Sequence, residues 1–174
     1  MVFQYDLVMK KRTKSGNVKR KEPEHPEKYF EAAIQRREEA DYLYRGNGYE
    51  AGAVYLVGVA AECLLRAFIY KNDPYATIPK KQQHKLRILA NKSFLRTINN
   101  PKVYEDVEKA NAYLNEVWEI GHRYRNIMRL KAYFKEKRDK LGTTNVRTIS
   151  KNALEAFDLL LKVARARWPN TRRK

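Results

Sequence analysis

The segment from Tyr49 to Tyr70 constrains the fold more than any other part of this chain. It is apolar on nearly all sides when it is drawn as a helix, and Glu62 and Arg66 are its main exceptions. A helix without a polar face has to be covered by other elements. The sequence therefore predicts a central helix with other helices around it. Its continuous apolar run, residues 51–61, is well short of the roughly 20 residues that cross a bilayer, so we expect no membrane span.

Helical patterns precede and follow this central segment, and glycines, asparagines and prolines separate them. In the fourth pattern, which begins at Pro101, apolar residues alternate at steps of four and three as far as Met128, which predicts one long amphipathic helix. The predicted helices cover residues 26–45, 49–70, 84–94, 101–128, a further basic helix that extends to 141, and 149–168. No strand-like alternation occurs after residue 25. The predicted fold is an all-α antiparallel bundle of four to five helices.

The domain organisation that follows is simple. Residues 1–25 form a basic N-terminal arm, in which residues 2–9 have the pattern of a short strand, and residues 26–168 form one helical domain. Residues 169–174 are a basic tail. The arm has no apolar segment behind its lysines, so it does not have the pattern of a secretion signal.

Cysteine and histidine usage excludes several classes of protein. Cys63 is the only cysteine, so the chain has no intrachain disulfide and no cysteine-based zinc cluster, and we expect a reducing, cytoplasmic location. The three histidines, His25, His84 and His122, do not have the spacing of metal ligands. We therefore expect neither a metal nor a cofactor.

The net charge of +17 is concentrated near the C-terminus. Residues 121–174 contain 16 basic and 4 acidic side chains, whereas residues 29–120 contain 13 basic and 12 acidic ones. A near-neutral body with one basic region is typical of a protein that presents a positive surface to an anionic partner, most often a nucleic acid. The alternative is a set of solvated helix faces that keep the protein soluble.

Glu62 and Arg66 stand at i and i+4 within the apolar central helix. A buried carboxylate is costly unless a cation and hydrogen bonds accompany it. Arg66 is the nearest candidate partner along the chain, and His122 and Arg123 are others. We interpret Glu62 as a member of a structural ion pair, with a role as a catalytic acid as the alternative.

A dense polar string, Trp118-Glu119-Ile120-Gly121-His122-Arg123-Tyr124-Arg125-Asn126, follows the apolar part of the fourth pattern. Arginine forks suit phosphate, tyrosine offers a stacking face, and histidine titrates near neutrality. The string therefore suits a nucleotide or an RNA backbone. In the alternative interpretation Trp118 and Tyr124 belong to the core, and the arginines are solvated or pair with Glu62 and Glu119.

The order of these elements resembles the HEPN domain (higher eukaryotes and prokaryotes nucleotide-binding) over residues 28–165. The run Ala61-Glu62-Cys63-Leu64-Leu65-Arg66-Ala67 is similar to the second helix of that family. His84-Lys85-Leu86 resembles its short "H-x-L" helix, and Trp118 followed by Arg123-Tyr124 resembles its "W…RY" element. The resemblance implies a HEPN-like helical bundle and a homodimer, because composite sites in the family form between two subunits.

Active members of this family are metal-independent endoribonucleases with an arginine and, four to six residues later, a histidine. Here Arg125-Asn126 is followed by Lys131 at the position of the histidine and then by Tyr133. A lysine side chain, with a pKa ordinarily near ~10.4, is a poor base for a ribose 2′-hydroxyl. On a straight helix, six residues also leave Arg125 and Lys131 roughly 120° apart. The resemblance thus implies a degenerate motif, with His122 as a possible substitute base.

We therefore expect RNA or nucleotide binding with lost or altered catalysis, in a toxin–antitoxin or defence context. The expected binding residues form one basic set: Arg123, Arg125, Arg129, Lys131 and Lys135. Two alternatives remain. One is an active ribonuclease toxin, and the other is a non-catalytic partner of a nucleotidyltransferase.

Overall fold

A computed structural model describes residues 23–46 and 48–169 of the chain. Most of the basic arm, including the strand pattern at residues 2–9, and most of the basic tail lie outside these residues. The described residues form seven α-helices: α1 Pro26–Arg45, α2 Glu50–Asn72, α3 Leu86–Lys92, α4 Pro101–Val117, α5 Ile127–Glu136, α6 Arg138–Leu141 and α7 Val146–Arg167. Short 3₁₀ turns at Phe94–Thr97 and Ile120–Tyr124 complete them. The predicted all-α helical bundle is confirmed.

The long helices α1, α2, α4 and α7 form the body of the bundle, and α2 lies at its centre. Helix α2 packs most extensively on α1 and also contacts α7, α3 and α4. Leu64, Leu65 and Phe68 on α2 are fully buried, together with Leu114 of α4 and Phe157 of α7. The apolar character of α2 is thus explained by the helices that cover it.

By length and composition alone, α2 would also pass as a membrane-spanning helix, with a mean hydropathy of 1.7 over its most apolar window. In the structure, 67% of that window is buried inside the protein. The apolar run counted from the sequence, residues 51–61, stops at Glu62 and is therefore shorter than the apolar part of this helix. Further apolar residues follow both Glu62 and Arg66.

The prediction of one long helix from Pro101 to Met128 is wrong. Helix α4 ends at Val117, where Trp118 takes an extended backbone with φ −104° and ψ 135°. After the 3₁₀ turn the chain resumes as α5, and the Asn126 side chain caps this helix by accepting the N–H of Arg129 at 3.0 Å. Asparagine is among the preferred N-cap residues because its side chain satisfies an N–H that the helix leaves unpaired. The apolar spacing continues across the break, which is why periodicity alone missed it.

Candidate functional site

Helix α5 and the turn before it present a surface of unpaired cations. We call it the α5 surface, and its exposed members are Arg123, Tyr124, Met128, Arg129, Lys131 and Lys135. Tyr124 is 73% exposed and Met128 is 70% exposed. Within the described part of the chain, no carboxylate lies within 4.0 Å of the four cations. The guanidinium of Arg123 lies over the Tyr124 ring, 4.5 Å from its centroid.

Elsewhere in the bundle, many cations have acidic partners. Arg37 of α1 forms a two-pronged contact with Asp158 of α7 at 2.8 and 2.7 Å. Glu116 of α4 accepts from Lys137 and Lys140, each at 3.0 Å, and this contact lowers the pKa of Glu116 against the opposing effect of burial. The four cations of the α5 surface have no such partner among the described residues, so their charge is available to a partner from outside.

Arg125 belongs to the predicted basic set but is held differently. Its guanidinium lies 2.9 Å from Glu119 and stacks on the Tyr133 ring, 4.5 Å from the centroid. The Tyr133 hydroxyl in turn donates to the backbone oxygen of Glu116 at 3.3 Å. The structure therefore brings Arg125 and Tyr133 together, but one carboxylate already neutralises the arginine.

Lys131 and Asn126 lie apart from this contact. Lys131 and Tyr133 are two residues apart on α5, so they point roughly 200° away from each other around the helix. Tyr133 is half-buried and Lys131 is exposed. The Asn126 oxygen is occupied by the cap of α5. Within one chain, the four residues of the predicted motif thus do not converge on one point.

His122 lies beneath the α5 surface, with a side chain that is 0% exposed. Its Nδ1 accepts the backbone N–H of Glu119 at 3.3 Å, while the Glu119 side chain accepts the N–H of His122, which forms a capping box for the turn. The ring meets Tyr133 edge to face at 4.8 Å. Burial lowers the pKa of His122 to about 4, and the positive charges of Arg125 and Lys137 add to this effect. His122 is thus a neutral ring that orders the turn, with its side chain shielded from solvent.

A second polar network lies where α2 meets the connection to α3. Arg66 lies 2.9 Å from one oxygen of Glu62, and His84 Nδ1 lies 2.8 Å from the other. Arg66 also donates to the backbone oxygen of Gln83 at 2.7 Å. The Glu62 and Arg66 side chains are only 12% and 13% exposed. The network binds the connection before α3 to the central helix, and of the partners considered from the sequence it is Arg66 that meets Glu62.

The contacts of His84 indicate which of its two ring nitrogens carries the proton in the neutral form. A carboxylate only accepts, so the Nδ1 facing Glu62 carries the proton. The other ring nitrogen, Nε2, then accepts from the side-chain nitrogen of Gln83 at 3.0 Å. A carboxylate that orients an imidazole in this way is a common arrangement in proton-transfer and ligand-binding sites.

A pocket of about 620 Å³ opens beside this network, between α3 and the end of α4. Its cationic side is formed by Lys80, Lys81, Lys85 and Arg87, which are all exposed. Ile88, Trp118 and Ile120 supply apolar wall, and His84 and Glu119 supply polar groups. Glu119 also pairs with Arg125, so the pocket and the α5 surface are neighbours.

Trp118 fits into the pocket wall because α2 has a glycine opposite to it. A Cβ at Gly58 would lie 1.6 Å from Cδ1 of Trp118, so any other residue at this position would collide with the ring. The indole is 5% exposed, and its Nε1 has no hydrogen-bond partner among the described residues. Gly58 is therefore the residue that allows the extended backbone after α4 to return against α2.

Sequence reasoning missed the pocket and the His84–Glu62 contact. The signals were present: a histidine preceded by two lysines and followed by a lysine and an arginine, and an isolated glycine within an apolar helix. Neither signal states which distant residue completes the site. Among the described residues, no group of three His, Cys, Asp or Glu side chains is placed to hold a metal ion.

Comparisons with protein-family models, with curated proteins and with solved structures found no match for this chain.

Proposed function

We propose that this protein binds single-stranded RNA through the α5 surface, without the catalysis of active HEPN ribonucleases. The observation that carries the proposal is the group of four exposed cations without acidic partners, interleaved with an exposed tyrosine and methionine. Cations of this kind neutralise phosphates and release counterions, which supplies most of the free energy of non-specific RNA binding.

The geometry of the surface favours a single strand. Met128, Lys131 and Lys135 follow steps of three and four along α5, so they share one face of the helix. Tyr124 ends the turn that precedes α5 and is 73% exposed. An aromatic ring beside a row of cations is the arrangement that binds unpaired bases together with their phosphates.

The positions of the motif residues support binding over cleavage. Lys131 is exposed and lies on a different side of α5 from Tyr133, while Arg125 is paired with Glu119. His122, the candidate substitute base, is buried and has a pKa lowered to about 4. A general base has to reach the proton that it removes, and it acts together with the other groups of its motif. His122 is buried, and Lys131, which a bound strand can reach, lies away from Arg125 and Tyr133.

The test compares two triple variants that lose the same charge. Arg129→Ala/Lys131→Ala/Lys135→Ala removes cations from the α5 surface, and the control Lys102→Ala/Lys151→Ala/Lys162→Ala removes exposed lysines from α4 and α7. Fluorescence anisotropy with a labelled RNA of mixed sequence is measured between about 50 and 200 mM salt. We expect the first variant to lose roughly 2 from the slope of log affinity against log salt, at about 0.7 per phosphate, and the control to keep the wild-type slope.

Equal slopes for the two triple variants would contradict the proposal. The same samples, run on a denaturing gel, address catalysis, since RNA cleaved by the wild type but not by Arg125→Ala would favour the ribonuclease alternative. A stable complex with a nucleotidyltransferase, together with salt-independent behaviour towards RNA, would favour the partner alternative. Light scattering at several concentrations tests the homodimer that the family resemblance implies.

A further inference from the structure

We propose that the pocket between α3 and the end of α4 is a second site, which binds a small organic phosphate with an apolar or aromatic body. The proposal rests on the shape, charge and walls of the pocket and does not depend on RNA binding at the α5 surface. The volume of about 620 Å³ lies within the range of small-molecule sites.

The cations of the pocket select an anion. Lys80, Lys81, Lys85 and Arg87 line it, and within the described residues no carboxylate lies within 4.0 Å of any of them. Glu119, the carboxylate that also lines the pocket, is paired with Arg125 at 2.9 Å. Four unpaired cations around one opening raise the local concentration of anions and strengthen their contacts. Three of the four are lysines, which bind phosphate as point charges without demanding a fixed geometry, and the guanidinium of Arg87 can bind it with two prongs.

The walls of the pocket distinguish an organic phosphate from a free one. Ile88 of α3 and Ile120 of the turn after α4 both line the pocket, and so does Trp118, whose ring packs against Gly58 of α2. A site for inorganic phosphate has no use for this apolar area, whereas an organic body gains free energy by covering it. The ligand therefore has a charged end near the lysines and a body against the isoleucines.

His84 and Glu62 give the pocket a fixed polar group. The Glu62 carboxylate holds Nδ1 of His84 at 2.8 Å, and Arg66 holds the carboxylate from the other side at 2.9 Å. The imidazole is consequently oriented before a ligand arrives, which reduces the entropy lost on binding. Its Nε2 meets only the Gln83 amide among the described groups, so a ligand hydroxyl that replaces this amide keeps the hydrogen bond.

The experiment uses three probes and isothermal titration calorimetry. Pyrophosphate represents the charged end, adenosine represents the body, and ADP contains both. We expect ADP to bind at least tenfold more tightly than pyrophosphate and adenosine to bind more weakly than ADP. Lys81→Ala/Lys85→Ala should weaken ADP binding at least tenfold, and Lys151→Ala/Lys162→Ala, which removes the same charge from α7, should change it less than twofold.

A substitution in the apolar wall of the pocket tests the contacts to the body of the ligand separately from those to its charged end. Ile88→Ala should weaken ADP binding threefold or more and leave pyrophosphate binding unchanged. Absence of ADP binding, equal affinities for ADP and pyrophosphate, or insensitivity to Lys81→Ala/Lys85→Ala would each overturn the proposal. The triple variant of the α5 surface should bind ADP like the wild type, so loss of RNA binding and loss of ADP binding are separate outcomes.

Discussion

The network beneath the pocket and the α5 surface both contain cations, but only the first provides them with partners. Glu62 contacts Arg66 and His84, and the Glu62 and Arg66 side chains are nearly buried. Lys131 and Lys135 are exposed and have no described carboxylate nearby. An unpaired charge costs several kcal/mol when it is buried and very little when it is exposed. Pairing is thus a requirement for folding in one region and is dispensable in the other.

Each of the two regions therefore has its own experimental readout. Substitutions in the buried network should change the free energy of unfolding and leave RNA binding intact in the molecules that fold. Substitutions on the α5 surface should change RNA binding and leave the free energy of unfolding intact. Glu119 and His122 lie between the two regions, since Glu119 lines the pocket and His122 supports α5 from below.

The largest effect is expected for Gly58→Ala. The new Cβ would lie 1.6 Å from Cδ1 and 1.9 Å from Cγ of Trp118, and a buried indole cannot move without displacing the segment that follows α4. Overpacking of a close-packed core typically costs about 1–3 kcal/mol, and this overlap is severe, so we expect about 3 kcal/mol or more. Chemical denaturation measures the free energy of unfolding, and ADP binding by the folded fraction reports the pocket.

Gly52→Ala is the matched control on the same helix. Its Cβ would approach only Cδ1 of Leu43, at 2.8 Å, which is the far end of a flexible side chain. Alanine also favours the helix by about 1 kcal/mol over glycine. The control should therefore unfold at nearly the wild-type denaturant concentration. Similar losses for the two variants would show that the Trp118 contact is not what requires Gly58.

The second prediction concerns the pH dependence that His122 gives to stability. Its pKa is about 4 in the folded protein and near 6.5 when it is unfolded, so between these values the unfolded chain binds the additional proton. Stability from this group is therefore complete above pH 6.5 and falls as the pH drops towards 4, by about 3 kcal/mol in total. His122→Gln retains an acceptor for the capping box and does not titrate, so it should lack this part of the pH dependence.

The measurement is the difference between wild type and His122→Gln in the free energy of unfolding at several pH values. Other groups that titrate in this range contribute equally to both proteins and cancel. A difference that is the same at pH 7 and pH 4.5 would show that His122 is not held neutral by burial.

The sequence predicted the helical bundle because the patterns that define it are local. Pro26 and the pair of glycines after Arg45 bound α1 where expected, and Gly142, with φ 70°, ends α6 before Asn145 caps α7. The break between α4 and α5 was missed because a 3₁₀ turn of five residues preserved the apolar spacing across it. The segment after α4 packs through a contact between distant residues, Gly58 and Trp118, which no local pattern contains.

The sequence also located the basic region but could not show which of its cations are paired with a carboxylate. The five arginines and lysines predicted to bind phosphate are close in the chain, yet Arg125 is paired and the other four are not. Pairing depends on whether Glu119 turns towards Arg125, and that depends on the capping box with His122. The four cations of the pocket were not singled out from the sequence. The other side of the pocket is formed by Asn115 and residues 118–120, about thirty positions later in the chain.

The third prediction tests the buried network through Glu62→Gln. The amide keeps the shape of the side chain but leaves the Arg66 guanidinium, 13% exposed, without a counter-charge. Removing one member of a buried pair is strongly destabilising, and residual solvent contact reduces the cost here to about 2 kcal/mol. Glu105→Gln, which removes the acidic partner of Lys109 from an exposed pair, should leave the unfolding midpoint unchanged. Equal effects of the two changes would remove the distinction between buried and exposed pairs on which the comparison depends.

The smallest effect is expected for Tyr124→Ala on the α5 surface. Tyr124 is 73% exposed and its hydroxyl has no partner among the described residues, so loss of the side chain should not change the free energy of unfolding measurably. If an RNA base stacks on it, affinity should fall by about 1 kcal/mol, or roughly fivefold, in anisotropy titrations. Tyr124→Phe keeps the ring and should bind like the wild type. Equal losses of affinity for Tyr124→Ala and Tyr124→Phe would assign the RNA contact to the hydroxyl. No loss of affinity for either variant would restrict the α5 surface to phosphate contacts. The affinity for RNA would then depend on salt and not on the presence of unpaired bases.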